Sequence, residues 1–170
     1  YLHDRLTSTP QFQELSPDEI DVLATAMELI EGEDGHVFIK EGTRGDGCFL
    51  IVDGCVRVSH DREGASHPIQ DLQPGELFGL VALLDDGKRS ATCTAVGDTQ
   101  VAWLPTAAFT MLHAGSPSLV LHFQKLVVRQ LAHDARGLNA ALVRAMVSNE
   151  QGDAPGGDSL SGELHLSSSD

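Results

Sequence analysis

The chain has 170 residues, 41% hydrophobic and 21% charged, which is enough to bury one sizeable core, so a single folded domain is expected. Its formal charge of −14 argues against direct binding to nucleic acid, because that affinity comes from basic side chains that neutralise phosphates. No apolar run approaches the roughly 20 residues that span a bilayer, and no charged-then-apolar leader opens the sequence, so no membrane partner is expected.

The three cysteines, Cys48, Cys55 and Cys93, lie in strand-like apolar runs. An odd number at such positions favours buried thiols in a reducing compartment over a disulfide framework, which predicts a cytoplasmic protein. No Cys-x-x-Cys or His-x-His spacing brings two metal ligands together, and no nucleophile stands beside a base. We therefore expect no metal, no cofactor and no enzymatic activity.

The first predicted element is an amphipathic helix over residues 17–29. Ser16-Pro17-Asp18-Glu19 combines an N-cap, a proline at the first helical position and a glutamate three residues after the cap. The apolar positions that follow have helical spacing: Ile20, Leu23, Ala24, Met27 and Leu29.

Short β-branched and aromatic runs follow, from Val37 to Trp103. Turn sequences interrupt them at the spacing of a compact β sandwich or barrel, predicted over residues 37–104. These turns include Gly45-Asp46-Gly47, Asp53-Gly54, Pro74-Gly75, Asp85-Asp86-Gly87 and Gly97-Asp98.

Two helices are predicted after the β region, within residues 105–147. A short one covers residues 105–112, and a long one begins at Pro117 and reaches about Met146. Seven-residue steps on the long helix, such as Val120 to Val127 and Leu131 to Leu138, leave two compatible interpretations: packing on its own domain, or a seam with a second copy in a homodimer.

Gly137 costs the long helix about 1 kcal/mol relative to alanine and marks a predicted weak point.

Residues at the end of the chain have a different composition. Residues 149–170 are rich in Gly, Ser and Asp, contain no Lys or Arg, and are predicted to be a flexible acidic linker or tail after a domain spanning residues 1–148. The start at Tyr1 rather than at a methionine suggests either a piece of a longer protein or a chain that lacks its leader.

A glycine turn, a short apolar helix and one arginine occur within residues 75–95. After Gly79, backbone N–H groups at a helix start can point outward, and Arg89 can return a fixed positive charge to the same place, which predicts a site for one small anion. Ser90 adds a hydroxyl donor. The predicted site residues are Gly79, Leu80, Val81, Ala82, Arg89, Ser90 and Ala91.

Phe78-Gly79 and Arg89-Ser90-Ala91 resemble the phosphate-binding cassette of the cyclic nucleotide-binding domain family, of the bacterial catabolite-activator and kinase regulatory-subunit type. Two further motifs, the glycine-punctuated hairpin at 41–58 and the turn at 72–76, are similar to that family, and together the motifs cover about residues 12–145. The resemblance implies a mainly β fold with flanking α-helices: a jelly-roll β-barrel with an N-terminal helix and a long C-terminal helix.

The same resemblance implies a ligand and its contacts. The ligand would be cAMP or cGMP, with Val56 and Ile69 as apolar walls facing base or sugar, the long helix as a lid, and Asp134 near an amino group of the base. Leu80 departs from the family pattern, in which a glutamate accepts a hydrogen bond from the ribose 2′-hydroxyl. Losing that bond costs about 1–3 kcal/mol, which weakens binding about 5- to 150-fold.

Three functions remain open at this point. The first is a regulatory domain that senses a cyclic nucleotide and passes the change to an attached output domain or partner. The second is a degenerate version without a nucleotide ligand, serving as a docking or dimerisation module. The third, a metal-dependent cupin-type enzyme, would need clustered ligands, whereas the histidines are scattered: His36, His60, His67 and His113. A DNA-binding helix-turn-helix would have to lie outside this fragment, since residues after 148 lack a basic face.

Overall fold

Two four-stranded antiparallel sheets form the centre of this computed structural model, which describes residues 1–80 and 87–152. The strand order is β1-β8-β3-β6 in one sheet and β2-β7-β4-β5 in the other. The predicted class, mainly β with flanking helices, is confirmed. The strands are β1 (Glu28–Gly32), β2 (Val37–Ile39), β3 (Gly47–Asp53), β4 (Val56–Arg62), β5 (Ala65–Leu72), β6 (Leu77–Phe78), β7 (Thr92–Ala95) and β8 (Thr99–Pro105).

The helix α2 (Pro17–Ala26) begins where the sequence predicts. The backbone N–H of Glu19 donates to Ser16 Oγ at 3.3 Å, and the Glu19 carboxylate accepts from the Ser16 N–H at 2.9 Å, which completes a capping box. The helix ends three residues before the predicted boundary at 29, because residues 28–32 pair with β8 instead. The helical spacing of Leu29 was misleading, since tertiary pairing outweighs local periodicity here.

Two short elements before α2 were not predicted. They are α1 (Leu2–Ser8) and a 3₁₀ turn (Pro10–Phe12). Both bury an apolar side chain, Leu6 and Phe12 respectively. The N-terminal helical region therefore begins well before the capping box.

Buried apolar side chains form two clusters that share β3. Its residues alternate between them, as the two-residue period of a strand requires: Leu50 belongs to one cluster and Phe49 and Ile51 to the other. The helical cluster contains Leu6, Phe12, Ile20, Leu23, Met27, Cys48, Leu50, Val52, Leu77, Leu80, Ala102, Leu104, Leu119, Phe123, Leu126 and Val127. The barrel cluster contains Ile39, Phe49, Ile51, Val56, Leu72, Phe78, Cys93 and Val101.

Two helices follow β8: α3 (Thr106–Gly115) and α4 (Pro117–Gly152). The chain divides into two units, Tyr1–Ala132 and His133–Asp170, and α4 contributes to both. Residues 149–152, predicted to be linker, are helical, and the rest of the predicted tail lies outside the described residues. Among the described helices, none is both long and apolar enough to cross a membrane.

Candidate functional site

The backbone of Arg89 is fixed by the loop that precedes β3. The Arg89 N–H donates to the Thr43 carbonyl, and the Gly42 N–H donates to the Arg89 carbonyl, both at 2.8 Å. An antiparallel bridge between Arg44 and Lys88 continues this pairing. The side chain of Arg89 therefore leaves a well-anchored backbone, and only 7% of the residue is exposed.

The buried guanidinium of Arg89 has two hydrogen-bonded neighbours in the described residues. Nη1 donates to the Gly79 carbonyl at 2.8 Å, and Nη2 lies 3.3 Å from Asp46 Oδ1. Burial lowers the pKa of Arg89, and the Asp46 carboxylate opposes that shift. These two partners account for two of the five N–H donors of a guanidinium, so the group can serve an anion that approaches it.

Asp46 is a partner that the sequence reasoning missed. Asp85 and Asp86 are closer to Arg89 in the chain, and both lie outside the described residues. Asp46 stands 43 positions before Arg89 in the chain, so local spacing gave no signal for the pair. Its side chain is 74% exposed, whereas that of Arg89 is 6% exposed. The carboxylate therefore reaches the guanidinium from the solvent side.

Gly79 allows the guanidinium to approach the backbone this closely. Its φ of +73° lies in the left-handed region that favours glycine. A Cβ at this position would lie 2.7 Å from Arg89 Nη1 and 2.8 Å from Ile39 Cδ1. The predicted glycine turn is thus also a close contact between the turn and the arginine.

Leu80 is turned towards the helical cluster and is 3% exposed. The residue that departs from the family pattern is therefore an apolar anchor between the Gly79 turn and the packed helices. Val81 and Ala82 lie outside the described residues, so their role as N–H donors stays a prediction.

The other predicted contacts lie in different surroundings. Val56 is fully buried in the barrel cluster, opposite Leu72, whereas Ile69 is 39% exposed and is the extra residue of a bulge between the pairs Val58–Gln70 and Ser59–Pro68. Their contacts with base and sugar stay a prediction. Ser90 is exposed and Ala91 is half-buried next to Arg89 in the chain. Asp134 belongs to the second unit, so its contact with a base stays a prediction.

Two buried thiols share the electrostatic environment of Arg89. Burial raises the pKa of both Cys48 and Cys93 to about 12, although the nearby guanidinium acts in the opposite direction. Both cysteines are free. At neutral pH they are uncharged, so they contribute no negative charge that would compete with an anion for Arg89.

One cavity of the described part of the chain is unsuited to an anion. A cavity of about 480 Å³ is lined by Glu31, Glu33, Asp53 and Asp98 among others, and its negative charge would repel one. No group of three or more His, Cys, Asp or Glu side chains within residues 1–80 and 87–152 is arranged to hold a metal ion. The candidate site is instead the place where the buried Arg89 guanidinium meets the Gly79 turn.

Comparison with known proteins finds similarity over the part of the chain that contains Arg89. A family model described as the cyclic nucleotide-binding domain matches residues 30–116, just over half of the chain. The cAMP-dependent protein kinase regulatory subunit of Dictyostelium discoideum is 36% identical over 94 residues, covering 53% of this chain and 29% of that protein. The cyclic AMP receptor protein of Thermus thermophilus is 30% identical over 127 residues, covering 74% of this chain and 59% of that protein. This chain thus spans less than two thirds of either relative.

A solved structure has the same fold. The crystal structure of a cyclic nucleotide-binding domain from Methylobacillus flagellatus superposes with a TM-score of 0.73, covering 84% of this chain and 82% of that chain. The sequence identity is 24%, so this likeness concerns the fold alone.

Proposed function

This chain belongs to the cyclic nucleotide-binding domain family, and we propose that it is a regulatory module that senses cAMP or cGMP at Arg89. The observation that carries the proposal is the buried guanidinium beside the Gly79 turn. A cyclic phosphodiester carries one negative charge, which a buried arginine and outward-pointing backbone N–H groups can bind together. Two relatives are a cAMP-dependent protein kinase regulatory subunit and a cyclic AMP receptor protein, which supports this class of ligand.

The phosphate is the main point of attachment in this proposal. Arg89 supplies the charge, the N–H groups of the segment after Gly79 supply further donors, and the exposed hydroxyl of Ser90 adds one more. Val56 and Ile69 remain the proposed apolar contacts of base and sugar, and Asp134 the proposed contact of the base. The ligand is the only small molecule that the proposal requires.

In this proposal the protein makes little use of the ribose 2′-hydroxyl for binding. Leu80 has no hydrogen-bonding group and packs in the helical cluster, so it cannot accept from a 2′-hydroxyl. We expect a 2′-deoxy cyclic nucleotide to bind almost as well as the ribose form. A strong preference for the ribose form would mean that another residue reads the hydroxyl and that the proposed pocket is wrong.

Calorimetry with cAMP and cGMP on wild type and on Arg89→Ala tests the proposal. The variant should lose at least about 2 kcal/mol of binding, or about 30-fold in affinity, because the anion loses its charge-assisted hydrogen bonds. Arg62→Ala is the matched control, since it removes the same charge from an exposed strand end. Unchanged affinity in Arg89→Ala would remove Arg89 from the site, and wild type that binds neither nucleotide would contradict the proposal.

The regulatory part of the proposal requires that ligand binding reaches α4. A ligand shifts a helix only by binding one of its positions better than another, and such coupling is typically about 1–3 kcal/mol. We expect amide hydrogen exchange in residues 130–146 to slow when nucleotide is added, most strongly near Gly137, while the strands change little. Slowing confined to residues 78–91 would describe binding without a switch.

A homodimer without a nucleotide ligand is the second candidate. Leu121 and Val128 lie seven residues apart on α4 and are 56% and 65% exposed, a spacing that suits a helical seam with a second copy. Sedimentation equilibrium on wild type and on the double variant Leu121→Glu, Val128→Glu tests it. A wild-type dimer that the variant converts to monomer, together with no binding of either nucleotide, would favour this candidate.

Attachment to an output domain and a cytoplasmic location are further parts of the first proposal.

A further inference from the structure

We propose that Phe49 is the residue that positions Arg89 for an anion, by holding the guanidinium against the face of its ring. The inference rests on the proposed function, because it concerns the same site. It adds a residue that lies 40 positions before the arginine in the chain and belongs to β3.

The contact joins a charge to an aromatic ring inside the protein. Arg89 Cζ lies 5.9 Å from the centroid of the Phe49 ring, within the distance of about 6 Å at which a cation is attracted to a ring face. Both residues are buried, so water screens the attraction little.

A second ring fixes the orientation of Phe49. The rings of Phe49 and Phe78 are stacked, with centroids 5.0 Å apart and an angle of 12° between their planes. Phe38 packs against both, at 6.5 Å from Phe49 and 6.3 Å from Phe78. Phe49 is therefore held by aromatic neighbours as well as by its strand.

The same pair of rings also positions the carbonyl that Arg89 binds. Phe49 and Phe78 face each other in the β3–β6 ladder, which has only two residue pairs. Phe78 directly precedes Gly79, whose carbonyl accepts from Arg89 Nη1 at 2.8 Å. Phe49 thus contacts the guanidinium on one side and, through Phe78, fixes the strand that leads to its hydrogen-bond acceptor.

An aromatic face and a carboxylate stabilise a buried cation in different ways. Asp46 accepts a hydrogen bond from one N–H group of the guanidinium, so a ligand has to share that donor with Asp46 or displace the carboxylate. The ring face of Phe49 attracts the charge through its quadrupole and uses no N–H group. Arg89 can thus stay charged and in place while its donors remain available to an anion.

The first test compares a ring beside Arg89 with a ring in the helical cluster. Phe49→Leu keeps an apolar side chain and removes the ring, and we expect it to weaken binding of the cyclic nucleotide about fivefold, the effect typical of one cation–π contact. Phe49→Tyr should bind within twofold of wild type. Phe109→Leu is the matched control, because it removes a ring that packs against Phe123 in the helical cluster, and it should also stay within twofold. Equal losses in Phe49→Leu and Phe109→Leu would reduce Phe49 to ordinary core packing and overturn the proposal.

A second test separates electrostatics from shape. Pentafluorophenylalanine in place of Phe49 nearly keeps the shape of the ring and reverses the sign of its quadrupole. It should weaken the cyclic nucleotide at least as much as Phe49→Leu and leave the affinity for the uncharged parent nucleoside unchanged. Equal affinity of the fluorinated protein and wild type for the cyclic nucleotide would contradict the proposal, even where Phe49→Leu fails to fold.

A third test needs no ligand. Ring currents from Phe49 should displace the Arg89 Nε–Hε resonance of the free protein, and the displacement should disappear in Phe49→Leu and return in Phe49→Tyr. The resonance is assigned by its loss in Arg89→Lys. If wild type binds no cyclic nucleotide but these shifts follow the ring, the proposed function fails and the contact stands. If the resonance ignores residue 49, the positioning role fails whatever the protein binds.

Discussion

The helical cluster and the barrel cluster meet along β3 and β6, but they serve different parts of the molecule. The helical cluster joins the N-terminal helices to the start of α4, and Leu80 anchors the Gly79 turn to it. The barrel cluster supplies Phe49 and Phe78 next to Arg89. Neighbouring residues of β3 and of β6 belong to different clusters. We therefore expect substitutions in the helical cluster to reduce stability more than ligand binding. Substitutions in the barrel cluster near Arg89 should reduce ligand binding more than stability.

The largest expected effect is that of Phe123→Ala in the helical cluster. Phe123 is buried and packs against Phe109 with ring centroids 5.5 Å apart, so its removal should leave a cavity and cost about 3–5 kcal/mol of unfolding free energy. Urea denaturation followed by circular dichroism measures it. Leu121→Ala, at an exposed position of the same helix, should stay within about 0.5 kcal/mol. Similar losses at both positions would refute the assigned packing face of α4.

Leu80→Glu tests whether the Gly79 turn depends on the helical cluster. We expect a loss of about 3 kcal/mol in unfolding free energy, because the apolar side chain is lost from the cluster and a carboxyl group is buried among apolar side chains. Leu80→Met keeps the volume and should cost less than about 1.5 kcal/mol. Equal unfolding midpoints for the glutamate variant and wild type would place Leu80 outside the cluster. A loss of that size would mean that the glutamate of the family pattern cannot simply be restored in this chain.

Ser16→Ala should have a smaller effect, confined to the helical side. It removes the hydroxyl that accepts from the Glu19 N–H at the start of α2, and loss of such a cap costs about 1 kcal/mol. Ser66→Ala, on an exposed strand, is the control and should be neutral. The affinity for a cyclic nucleotide should not change in either variant. A lower affinity in Ser16→Ala alone would mean that the helical cluster and the barrel cluster are coupled energetically, which their packing does not indicate.

The smallest effect is a dependence of stability on pH through Glu19. Its pKa is lowered from 4.5, first because the Ser118 hydroxyl donates to its carboxylate and then because the Ser16 N–H does. A lowered pKa contributes stability above 4.5 that is lost as pH falls through the folded-state value. Urea midpoints of wild type and Glu19→Gln, measured from pH 6 to pH 3, should converge at the acidic end. A constant difference would contradict the assignment.

Local chemistry was predictable from the sequence, and long-range pairing was not. The capping box at Ser16 and the approach of Arg89 to the glycine turn follow from residues close together in the chain. The partners Asp46 and Phe49 come from a loop and a strand some 40 positions away, and no local spacing points to them. The bulge at Ile69 likewise depends on the register of β4 with β5, which alternation of side chains alone does not determine.

The burial of the thiols has a practical consequence for following this protein in solution. Cys48 and Cys93 are buried and their pKa values are about 12, so alkylating reagents, which need an accessible thiolate, should spare them in the native protein. Cys55 is half-buried at the turn between β3 and β4, and burial raises its pKa. The natural sequence thus offers a single preferred attachment point for a fluorophore, and a dye there would report on the hairpin without any engineered cysteine.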